Sequence, residues 1–64
     1  MTVNVECLGK ITATKDVLNK ISMGFYTASK FHLIHNRKTL SERYRKIANE
    51  ICDELNKEGY FEID

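Results

Sequence analysis

The chain has 64 residues, 42% hydrophobic and 30% charged, with a formal net charge of +1. That balance excludes a disordered tail, and a near-neutral total gives no overall pull toward nucleic acid or membrane. The length allows one domain, residues 1–64, too small to wall off a water-excluding pocket, so no enzyme activity is expected.

Residues 2–7, TVNVEC, alternate strictly. Val3, Val5 and Cys7 share one side, and Thr2, Asn4 and Glu6 the other, as in a half-buried strand. Gly9 interrupts the pattern, and Ile11 and Ala13 resume it. The segment is therefore one bent strand or a short hairpin. A lone strand leaves backbone donors and acceptors open, so the alternatives are closure on itself or pairing with a second copy.

Thr14 suits the N-cap of a first helix, with Asp16 favourable in its first turn. Val17, Leu18, Ile21, Phe25, Ala28 and Phe31 follow helical spacing. Met23, Tyr26, Leu33 and Ile34 spread apolar character around the rest of the cylinder. A helix apolar on more than one face is buried on more than one face. Gly24 costs about 1 kcal/mol relative to Ala in mid-helix and marks a potential break into two short helices. Phe25 and Tyr26 are adjacent and cannot point the same way, so one is expected to leave the monomer core. Met23, Phe25, Tyr26 and Phe31 are the expected self-association residues, and a homodimer is expected.

Thr39 and Glu42 read as a capping box opening a second helix. Leu40, Tyr44, Ile47, Ala48, Ile51 and Leu55 form its apolar stripe. Three pairs of opposite charge stand four apart: Glu42 with Lys46, Lys46 with Glu50, and Asp53 with Lys57. Gly59 should end the helix, with Tyr60 packing back on Leu55. The fold expected is α+β: a short N-terminal β element followed by two antiparallel α-helices, dimeric.

Charge is strongly polarised along the chain. Residues 30–46 carry Lys30, Arg37, Lys38, Arg43, Arg45 and Lys46 against Glu42. Residues 47–64 carry Glu50, Asp53, Glu54, Glu58, Glu62 and Asp64 against Lys57. The second helix thus places bases early and acids late, the reverse of what its macrodipole prefers. Arg37, Lys38, Arg43, Arg45 and Lys46 form a candidate partner- or anion-binding cluster, or a merely solvated face. Glu50, Asp53, Glu54 and Glu58 form a candidate acidic face able to imitate nucleic-acid phosphate.

The order strand, helix, helix resembles in layout the ribbon-helix-helix repressors, whose N-terminal strands pair across a dimer and enter the major groove. That resemblance implies that Thr2, Asn4 and Glu6, or Lys10, Thr12 and Thr14, face the bases.

No catalytic residues, metal or cofactor are expected. Gly9, Gly24 and Gly59 are isolated, so no phosphate loop is present. His32 and His35 with Cys7 and Cys52 match no compact zinc spacing. Two cysteines make no disulfide framework, and no charged n-region precedes an apolar h-region. A cytoplasmic protein with free thiols is the expectation. No membrane partner is expected, because Lys20 and Lys30 interrupt the most apolar stretch. Abundant Asn, Ile and Lys point to an AT-rich coding genome, such as a Firmicute or a phage, where a phage or mobile-element protein aimed at a host protein is a natural candidate. The function expected is a regulator or inhibitor docking on another macromolecule, a protein above all. The alternatives are a dimeric DNA-binding repressor and a binder of a small anion or nucleotide between subunits.

Overall fold

The computed structural model describes residues 1–6 and 8–61, so Cys7, Glu62 and Asp64 lie outside the described residues. Two antiparallel strands, β1 (Thr2–Val5) and β2 (Gly9–Thr12), precede two helices, α1 (Lys15–Ile34) and α2 (Lys38–Lys57). The protein is α+β.

The N-terminal segment closes on itself. Thr2 pairs with Thr12, Val3 with Ile11, Asn4 with Lys10, and Val5 with Gly9. Leu8 N donates to Val5 O at 3.1 Å, and Gly9 follows at φ +81°, where a glycine meets no side-chain penalty. Mutual bonds between Met1 and Ala13, at 3.1 and 3.0 Å, carry the pairing one step further. Of the two alternatives open for this segment, closure on itself is the one formed, and one expected layout is corrected. The strand needs no second copy as its pairing partner. The ribbon-helix-helix layout, whose strands pair between chains, does not describe this hairpin.

Val3 and Val5 bury their side chains against Leu18 of α1 and Ile47, Ile51 and Leu55 of α2, and these six form the core cluster. Thr14 caps α1, its Oγ1 accepting from Val17 N at 3.2 Å. The helix runs unbroken through Gly24, whose backbone keeps an ordinary helical φ. The helices are antiparallel, as their contacts show: Tyr60 with Asp16, Tyr26 with Asn49, Phe25 with Tyr44, and Ser29 with Ser41. Small buried residues line the crossing: Ser22 and Ser29 on α1, Ser41 and Ala48 on α2. Ser29 Oγ donates to Ser41 O at 2.8 Å and lies 3.0 Å from Ser41 Oγ, so this polar contact satisfies itself inside the interface.

Both helices end alike. Asn36 N donates to Leu33 O and Arg37 N to His32 O, with Asn36 at φ +60°. Gly59 N donates to Asn56 O and Tyr60 N to Leu55 O, with Gly59 at φ +73°. Each is the paired closure of a Schellman motif, a left-handed residue reversing the chain. After the first, Arg37 is already the N-cap of α2, so three residues join the helices. This overturns the expected capping box. The helix starts at Lys38, so Thr39 lies inside its first turn, and the N-cap Arg37 makes no side-chain cap bond. The second closure bears out the expected stop at Gly59.

Candidate docking surfaces

Three surfaces stand out among the described residues. The first is a groove between α1 and α2, lined by Tyr26, Ser29, Lys30, Leu33, Ser41 and Arg45, with a volume of about 270 Å³. Helical spacing puts Tyr26, Lys30 and Leu33 on one side of α1. Ser29 and Ser41 form its polar floor, and Tyr26 donates to Asn49 Oδ1. Leu33, 54% exposed, shares the groove with the cationic Lys30 and Arg45, and the next residue, Ile34, is 78% exposed. The groove can take an apolar group and hold an adjacent carboxylate.

The second is an acidic cleft between β1 and α2, lined by Asn4, Glu6, Glu50, Asp53, Glu54 and Lys57. Glu50 Oε2 accepts from the Glu6 backbone N–H at 3.1 Å, tying the strand end to the helix. Lys46 pairs with the Glu6 carboxylate, and its hydrogen bond and charge hold that carboxyl below the usual 4.5. Lys57 pairs with Glu54 three residues earlier, at 3.2 Å. Among the described residues, no group of three or more His, Cys, Asp or Glu is placed to hold a metal ion.

The third is an apolar hollow beside α1, of about 360 Å³, lined by Ile21, Gly24, Phe25, Ala28 and Tyr44. Phe25 stacks on Tyr44 at 5.7 Å, and His32 stacks on the same ring at 5.2 Å.

The residues singled out from the sequence distribute among these surfaces. Arg37, Lys38, Arg43, Arg45 and Lys46 are all exposed but do not form one patch. At 3.6 residues per turn, Arg43 and Arg45 stand about 200° apart around α2. Arg45 enters the groove, Lys46 turns to Glu6, and Arg37 lies at the interhelical turn, 3.4 Å from His32 Nδ1. Of the acidic set, Glu50, Asp53 and Glu54 converge on one cleft, while exposed Glu58 caps the helix end. Met23 and Phe31 are exposed, whereas Phe25 and Tyr26 are half-buried, Phe25 on Tyr44 and Tyr26 on Asn49.

Sequence reasoning left three members of these surfaces out of its candidate sets. Glu6 joins the acidic residues of α2 across 44 positions of chain, and nothing local signals that. Lys30 and Leu33 belong with Arg45, which only the antiparallel helix packing brings to them. Comparison with protein-family models, with curated proteins and with solved structures gives no match. No helix among the described residues is long and apolar enough to cross a membrane.

Proposed function

We propose that the chain is a small non-catalytic binding protein that regulates or inhibits a protein target by docking on it through the α1–α2 groove. One observation carries this reading. Leu33 and Ile34 stand exposed at the end of α1, and Lys30 and Arg45 share the groove with Leu33. An apolar anchor ringed by cations is complementary to an apolar side chain flanked by carboxylates. The occupant is therefore an acidic, apolar-bearing segment of another protein. The acidic cleft on the β1 side adds a second field of opposite sign, which rejects acidic partners arriving there.

Duplex binding is the rival reading. It is favoured by the first turn of α2, which has no acidic residue and begins at Lys38 next to Arg37. It is weakened by the scatter of the other cations and by the acidic cleft, which would repel phosphate.

A selection from a random peptide display library tests the proposal. Enrichment of peptides combining Asp or Glu with Leu, Phe or Ile is expected, and Leu33→Asp or Arg45→Glu should abolish their binding. Enrichment of Lys- and Arg-rich peptides would move the site to the acidic cleft. Binding of the acidic peptides unaffected by either substitution would remove the groove from the account.

A further inference from the structure

Helix α1 carries two parallel seams, one residue out of phase. The inner one, Leu18, Ser22, Phe25, Ser29 and His32, faces the core and α2. The outer one, Val17, Ile21, Gly24, Ala28 and Phe31, runs beside it with spacings of four, three, four and three. That alternation keeps a seam facing one partner helix along its length. Val17 and Phe31 are 45% and 53% exposed, Gly24 is exposed, and Ile21 and Ala28 are half-covered and line the hollow beside α1.

Among the described residues, nothing explains Gly24. Its φ is not positive, and a Cβ built there would meet nothing within 4 Å. Among the described residues, neither a turn nor close packing requires glycine, yet mid-helix it costs about 1 kcal/mol relative to Ala. It sits at the midpoint of the 20-residue helix and at the centre of the outer seam.

We infer that the outer seam is the contact between two copies of this chain, their α1 helices antiparallel about a two-fold axis at Gly24. The seam is self-complementary under that operation. Val17 and Phe31 are each seven residues from Gly24, about 10 Å along the axis, so Val17 of one copy meets Phe31 of the other. Ile21 of one copy falls against Ala28 of the other, large onto small, and glycine meets glycine where the backbones cross most closely. Pairing covers the hollow on both copies, and it enlarges a core that holds only seven buried apolar residues among the described ones. This surface lies on the flank of α1 opposite Tyr26 and Leu33, so the inference stands independently of the docking groove.

Light scattering across a concentration series tests it. The wild-type mass should rise from 7.4 kDa toward twice that value. Gly24→Leu should stay at the monomer mass with an unchanged far-UV spectrum, and Phe31→Lys should do the same. Gly24→Ala should raise the thermal midpoint of the monomer while weakening association at least tenfold. In a background lacking Cys7 and Cys52, Val17→Cys mixed with Phe31→Cys should cross-link on oxidation, and Val17→Cys alone should not. A wild type that remains at 7.4 kDa at millimolar concentration overturns the inference, as does a Gly24→Leu variant that dimerises as well as wild type. Efficient self-cross-linking of Val17→Cys overturns the antiparallel arrangement. Leu33→Asp should leave the dimer intact, which separates this result from failure of the docking groove.

Discussion

Asn36 and Gly59 occupy the same structural position, the left-handed residue just past a helix end, at φ +60° and +73°. Glycine has no Cβ to strain there, and asparagine bears the strain better than most residues. Asn36→Gly should therefore stabilise the protein by about 0.5–1 kcal/mol, and Gly59→Ala should cost about 1–2 kcal/mol, both read from urea unfolding. The two threonines near helix starts should differ in the same assay. Thr14→Ala removes a cap bond and should cost about 1 kcal/mol, whereas Thr39→Ala removes none and should change stability by less than about 0.5 kcal/mol. Tyr60 gives a pH signature. Its hydroxyl donates to Asp16 Oδ1 at 2.8 Å, and that bond, helped by partial burial and the neighbouring negative charge, raises the phenol above its ordinary 10.0. The folded state then holds the proton more tightly than the unfolded state. The stabilisation is complete below pH 10 and is lost as pH rises through the folded value. Tyr60→Phe should remove that alkaline loss from a stability–pH profile.

At the scale of elements, α2 is a one-faced helix and α1 a two-faced one. Ile51 is fully buried at the centre of the α2 stripe, so Ile51→Ala should cost about 2–5 kcal/mol and leave so small a chain largely unfolded in thermal melts. Ser29→Ala leaves buried Ser41 groups short of a donor and should cost about 1–3 kcal/mol, more than the loss of one hydroxyl at a surface. Much of this was legible in the residue order. The alternation of Val3 and Val5, the cap at Thr14, the stripe from Ile47 to Leu55 and the stop at Gly59 are local patterns, and the chain obeys them. The start of α2 was not legible, because the closure of α1 at Asn36 makes Arg37 serve both helices and moves the boundary ahead of Thr39. The buried serines were also hidden: Ser22 and Ser29 look polar in sequence, but small side chains are what a close helix crossing needs. The groove and the acidic cleft depend on residues brought together from separate elements, so composition and spacing revealed their charges without their grouping.

Across the whole molecule, each sign of charge predominates on a different surface, although Lys46 and Lys57 pair with carboxylates at the acidic cleft. Lys30 and Arg45 stand in the α1–α2 groove, while Glu6, Glu50, Asp53 and Glu54 gather in the cleft between β1 and α2. Such sorting steers a charged partner to one side and fixes its orientation on arrival. Lowering pH should weaken the cleft side first. The Glu6 carboxyl is held below 4.5 by Lys46, so the stabilisation from that pair is present above 4.5 and is lost as pH falls through the folded value. Being exposed, the pair contributes little, and Glu6→Gln should flatten only the acid end of the profile. The most direct test of the docking account is chromatography with light scattering at low salt, with and without a mixed-sequence DNA duplex. The account predicts an unchanged elution position and mass when duplex is added. Co-elution with the duplex, weakening log-linearly as salt rises and abolished by Arg43→Ala or Lys46→Ala, would contradict it and make the exposed cations a nucleic-acid surface.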